Sequence, residues 1–149
     1  MLDQIRELYQ EVVFDHNRNP RNFRTIEDAD RKIEGFNPLC GDKITLFLKM
    51  NGNRIEDVSF QGSGCAISTA SASLMTEMVK GKTEDEARTL FEKFHQVTTG
   101  KTELNLDEMG KLSVLSGVRA YPARVKCATL AWHSLQSAIE RSGDKVTTE

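Results

Sequence analysis

The sequence has neither a basic excess nor a long apolar run. Its 20 lysines and arginines are outweighed by 22 aspartates and glutamates, for a formal net charge of -2 and a pI near 6.0. That leaves no broad positive field for a nucleic-acid backbone. No apolar stretch approaches the roughly 20 residues that a membrane-spanning helix needs. The opening Met1-Leu2-Asp3-Gln4-Ile5-Arg6-Glu7 already mixes charged with apolar side chains, which is not the pattern of a secretory leader. The expectation is a soluble, cytoplasmic protein that acts on neither nucleic acid nor membrane. Cysteine is scarce as well, with 3 in the chain. An odd number in a reducing compartment points to metal binding or sulfur chemistry before disulfides. Histidine also numbers 3, and His16, His95 and His133 share no short metal-binding spacing, so all three read as surface or internally satisfied residues.

What is present is enough for one core. A chain of 149 residues, 38% apolar, suits a single domain over 1–149 and is short for two. Ile5, Leu8, Tyr9, Val12 and Val13 fall at helical spacing and predict a helix from Leu2 to about Asn17, stopped by Asn19-Pro20. Residues 21–32 read as a solvated connecting loop. From Ile33 to Gln61 the period changes: Ile44, Leu46, Leu48 and Met50 alternate with Lys43, Thr45, Phe47 and Lys49, Asn51-Gly52 makes a hairpin turn, and Ile55, Val58 and Phe60 return. Ile67, Ala70, Leu74 and Met78 mark the apolar stripe of a helix over 65–79. Thr83-Glu84-Asp85-Glu86 is a capping box opening the next helix, which buries Ala87, Leu90, Phe91 and Phe94. A short helix is expected over 107–115. Pro122 opens a last helix with Val125, Ala128, Trp132, Leu135 and Ile139 on its stripe, and about 143–149 is expected to fray. The fold class is α+β, a small antiparallel sheet packed against helices.

The chemistry-bearing residues lie outside these stripes. In Asn37-Pro38-Leu39-Cys40-Gly41-Asp42 a thiol and a carboxylate stand two positions apart, and residues two apart in an extended or turning backbone can point the same way. Cys65 follows a strand and Gly62-Ser63-Gly64 and starts a helix, where free N–H groups and partial positive charge favour thiolate; its plain alternative is a small buried cysteine. Cys127 falls about 120° from the centre of the last helix's stripe, on its flank, where it is either a metal ligand facing the sheet or a partly exposed thiol. Cys40, Asp42, Cys65 and Cys127 together would make a tetrahedral set for zinc. Without a Cys-x-x-Cys pair the spacing leaves metal site and separate thiols both open. Gly62-Ser63-Gly64 has Ile67 where a dinucleotide loop needs its third glycine. Gly81-Lys82-Thr83 and Gly100-Lys101-Thr102 have Thr76 and His95 where a phosphate loop needs its first. Neither is a nucleotide site.

Three ordered motifs, Pro38-Leu39-Cys40-Gly41-Asp42, Gly62-Ser63-Gly64-Cys65-Ala66-Ile67-Ser68 and Pro122-Ala123-Arg124-Val125-Lys126-Cys127-Ala128, together resemble the iron-sulfur cluster assembly proteins of the IscU/NifU-like family. Within it the chain is similar to the SufU branch. The segment between Cys65 and Cys127 is longer than in scaffold-type members, and Lys126 stands where those members have a histidine. The resemblance implies the SufE/NifU-like (IscU-like) fold and zinc held by Cys40, Asp42, Cys65 and Cys127. It also implies a zinc-dependent sulfurtransferase whose Cys40 accepts persulfide sulfur from a pyridoxal-phosphate cysteine desulfurase of the SufS type. Downstream cluster assembly proteins would follow. The alternative it carries is a scaffold on which a transient iron-sulfur cluster is assembled and passed on. Arg124, about 60° from Cys127 around the helix, and Lys126, about 100° away, are the cations expected to offset the negative site or meet a partner's carboxylate.

Overall fold

The computed structural model describes residues 2–37, 41–98, 115, 122–140 and 145–147. Helix α1 (Leu2–Arg18) leads to strands β1 (Arg31–Asn37), β2 (Asp42–Asn51) and β3 (Arg54–Ser63), then to α2 (Ala66–Val79), α3 (Glu84–Thr98), α4 (Pro122–Glu140) and β4 (Lys145–Thr147). The sheet order is β3-β2-β1-β4, antiparallel between the first three strands and parallel where β4 joins β1. The short helix expected over 107–115 falls outside the described residues, apart from Leu115. Within the stretch expected to fray, Lys145–Thr147 instead runs along β1.

Alternation decides which face of the sheet is covered. Ile33, Gly35 and Asn37 of β1 and Ile44, Leu46 and Leu48 of β2 are all buried, on the phase that meets the helices. Against them lies α4, which packs on β1, β2 and α2, while α1 packs on α2. Trp132, wholly buried, packs against Phe94 with the rings tilted by 32° and their centroids 5.0 Å apart. Its indole N–H donates to Ser71 Oγ at 3.2 Å, and the Ser71 hydroxyl donates to the Ala128 carbonyl. Ser71 thus allows α2 and α4 to approach closely and also joins them. At the far end of α4, Arg31 donates to the Ala138 and Ile139 carbonyls at 3.2 Å each, satisfying groups the helix end leaves open, and pairs with Glu84 at 3.1 Å.

Two local expectations change. The hairpin turns over Gly52 and Asn53, inside the Asn51–Arg54 pair, one residue later than Asn51-Gly52. Residues 21–30 are not a solvated loop. The Asn22 carbonyl accepts the Phe60 N–H at 3.0 Å, the Phe23 ring meets Phe60 edge-on at 5.2 Å, and Ile26 is buried. The mixed polarity of the segment hides three anchors that close one edge of the core. The capping box is as read, with Thr83 N–H donating to Glu86 Oε1 at 3.1 Å and Glu86 N–H to Thr83 Oγ1 at 3.2 Å.

Candidate metal centre

Strand register builds the site. Asn37, the last residue of β1, pairs with Asp42, the first of β2, and Lys43 pairs with Ser63 at the end of β3. One end of the sheet therefore carries Asn37, Asp42 and the approach to Cys65. The Asn37 carbonyl accepts the Gly41 N–H at 2.9 Å, and Gly41 has φ 73°, a left-handed conformation that costs glycine least. Cys65 is the N-cap of α2, with φ -71° and ψ 165°, and its sulfur accepts the Ser68 N–H at 3.4 Å. Cys127 lies in the second turn of α4, which crosses above the same strand ends.

Asp42 is fully buried and held on both oxygens. Oδ1 accepts the Cys65 N–H at 2.7 Å; Oδ2 accepts from Asn37 Nδ2 at 3.1 Å and stands 4.0 Å from Cys65 Sγ. Asn37 Nδ2 also donates to Cys127 Sγ at 3.5 Å. One ligand atom each from Asp42, Cys65 and Cys127 lies within 4.8 Å of the other two. Around a tetrahedral zinc with Zn–S of about 2.3 Å, neighbouring sulfurs stand about 3.8 Å apart, so small side-chain rotations bring this set onto one ion. Two sulfurs and a carboxylate suit zinc, and the outer lone pairs are already hydrogen-bonded, as they are around protein metal sites.

Among the residues singled out from sequence, Asp42, Cys65 and Cys127 meet, and Cys40 lies outside the described residues. Cys127 is buried, 2% exposed, and not the partly exposed thiol that its flank position allowed, because Asn37 and the end of β1 cover that flank. Arg124 is exposed and Lys126 half-exposed on the first turns of α4. Asn37 and the Cys65 and Ser68 amides donate to the ligand atoms, and of these the Asn37 side chain was given no role from sequence. Asn37 had one readable signal, a polar residue on the buried phase of a strand. Gly64 had none beyond being glycine. A Cβ there would lie 2.5 Å from Asp42 Oδ1.

Among the described residues the histidines form no comparable centre. His16 is buried, with Nδ1 2.7 Å from Ser73 Oγ and Nε2 3.6 Å from Glu77 Oε1. Ser73 Oγ also accepts the Arg21 N–H at 2.8 Å. The hydroxyl, imidazole and carboxylate stand in a relay order, but Ser73 is wholly buried and closed to any substrate. His95 and His133 pack edge to face on α3 and α4, with centroids 5.8 Å apart. No helix of the described residues is long and apolar enough to cross a membrane.

The description of the NifU-like N terminal domain matches residues 8–128. The chain is 40% identical over 143 residues to the iron-sulfur cluster assembly scaffold protein IscU of Streptococcus pyogenes serotype M1, covering 96% of this chain and 89% of that one. It is 40% identical over 134 residues to the zinc-dependent sulfurtransferase SufU of Bacillus subtilis, covering 90% of each. A solved structure from Fervidobacterium islandicum AW-1, assigned as an iron-sulfur cluster assembly scaffold protein for the SUF system, superposes with a TM-score of 0.83 at 36% identity over 89% of this chain and 97% of that one. The strand ends that gather Asp42, Cys65 and Cys127 lie inside the matched span, and the chain belongs to the NifU-like N-terminal domain family.

Proposed function

We propose that this protein is a zinc-dependent sulfur acceptor for iron-sulfur cluster assembly in the cytoplasm, working with a pyridoxal-phosphate cysteine desulfurase. The observation that carries the reading is the meeting of Asp42, Cys65 and Cys127 within 4.8 Å, drawn from β2, the start of α2 and α4, in a chain 40% identical to a protein named for that activity. Cys40 is the fourth ligand and the acceptor, because it precedes Gly41 in a connection between strands while Cys65 and Cys127 are fixed by helices. Bound zinc would keep its cysteine ligands deprotonated at neutral pH.

In the transfer, the Cys40 thiolate attacks the outer sulfur of a persulfide on the desulfurase. The new Cys40 S–S bond forms as the persulfide S–S bond breaks, and the desulfurase cysteine leaves as thiolate. Sulfur moves at constant oxidation level, so no external oxidant or reductant is needed. Arg124 and Lys126 flank Cys127 and would offset a centre of three thiolates, one carboxylate and one zinc, with formal charge about -2.

The scaffold reading is favoured by the similarity to IscU and by the half-exposed Cys65, which leaves the centre open on one side. Lys126, in the position scaffold-type members give to histidine, weighs for sulfur transfer. Sulfur uptake from persulfidated desulfurase by wild type and Cys40→Ala tests the proposal: uptake lost in a folded variant supports it, and unchanged uptake rejects it. Anaerobic reconstitution of a stable cluster that transfers to an apo-protein would establish the scaffold instead.

A further inference from the structure

We infer that Asn37 is the positioning residue of the metal centre: one carboxamide nitrogen holds Asp42 and Cys127, ligands from two different elements, and so sets how readily the centre releases its metal. This rests on the reading that Asp42, Cys65 and Cys127 bind zinc.

The argument starts from burial. Asn37 is 0% exposed, and a primary amide enclosed in the core is costly unless its hydrogen-bonding groups are matched. The nitrogen is 3.1 Å from Asp42 Oδ2 and 3.5 Å from Cys127 Sγ. Both partners are acceptors. The reversed amide would set its oxygen against a carboxylate oxygen, so the orientation follows from the partners. The two N–H bonds of a single NH2 group thus go to two ligands, one at the start of β2 and one on α4.

Neither bond uses up the ligand. A carboxylate has about four lone-pair positions; on Asp42 the Cys65 N–H and Asn37 take one each. Among the described residues Cys65 Sγ, 4.0 Å from Oδ2, is the further group against this carboxylate, and a metal bound between the two would take the place of that contact. On Cys127 the amide proton draws electron density from the sulfur, which moderates it as a donor while fixing where it points. Asn37 also closes the connection that contains Cys40, since its carbonyl accepts the Gly41 N–H at 2.9 Å. That bond is made by the backbone, so truncating the side chain removes the clamp contacts to Asp42 and Cys127 without deleting it.

The test uses the full chain loaded with zinc and, separately, with cobalt(II), comparing wild type, Asn37→Ala, Asn37→Leu and Cys127→Ser. Leu fills most of the volume and removes the carboxamide, its N–H donors and its oxygen together. The expected result is 10- to 100-fold weaker metal affinity for both Asn37 variants in competition with a chromophoric chelator, the range found when outer-shell partners are removed. A shift of the sulfur-to-cobalt absorption to lower energy should accompany it, since the sulfur loses a donor. Wild-type affinity and spectrum in Asn37→Leu, even with a lowered melting temperature of the metal-free protein, would overturn the inference and make Asn37 structural. If wild type binds no stoichiometric metal, or Cys127→Ser retains it unchanged, the zinc reading itself fails; loss in Cys127→Ser with no change in the Asn37 variants rejects only the clamp.

Discussion

The Cys65 N–H and the Asp42 carboxylate are joined by a 2.7 Å hydrogen bond across 23 positions of sequence, and the residue between strand and helix that permits it is Gly64. The bond caps the start of α2 and turns a buried carboxylate toward two sulfurs at once.

Gly64→Ala tests that geometry directly. The added methyl would meet Asp42 Oδ1 at 2.5 Å and Asp42 Cβ and Cγ at 3.1 Å, so either the carboxylate or the α2 start must move. Overpacking of this kind costs about 1–3 kcal/mol. Urea unfolding of the metal-free protein should show that loss, and zinc transfer to a chelator should be faster than from wild type.

Asp42→Ala removes a proposed ligand and also the partner of two donors, Asn37 Nδ2 and the Cys65 N–H. A buried donor left unmatched costs about 1–3 kcal/mol. The variant should therefore be less stable even without metal, and its zinc exchange should accelerate. Wild-type exchange would remove Asp42 from the ligand set.

The pH dependence of stability should depend on His133. Burial first, and then the neighbouring His95, hold its imidazole below the ordinary value of 6.5. The unfolded chain therefore takes up this proton at a higher pH than the folded one. Stability from the neutral ring is complete above 6.5 and declines as pH falls below it toward the folded value. In His133→Gln the difference between urea midpoints measured at about pH 7.5 and pH 5.5, either side of the free-histidine range, should be smaller than in wild type.

Periodicity was a good guide wherever an element has one buried face. The capping box at Thr83 and Glu86, the alternation of Ile44, Leu46 and Leu48, and the stripe through Trp132 all appear as read. It was a poorer guide to α4, where Cys127, Ala128, Thr129, Leu130, Ala131 and Trp132 are buried in succession. A helix packed between a sheet and another helix buries more than one stripe, so a residue placed on the flank can still be enclosed. The three ordered motifs gave Asp42, Cys65 and Cys127. Asn37 and Gly64 stand within or beside those motifs, but their roles were not legible, because what they do depends on strand register and on the approach of α4, both set by pairings distant in sequence.

Asn37 and Cys127 meet although 90 positions separate them. A nascent chain that has emerged only as far as α3 offers an incoming ion a partial set of ligands, since Cys127 lies on α4 and has yet to be made. Loading should consequently wait until α4 has been made and docked, and metal occupancy should serve as a mark by which molecules with α4 in place differ from those without it.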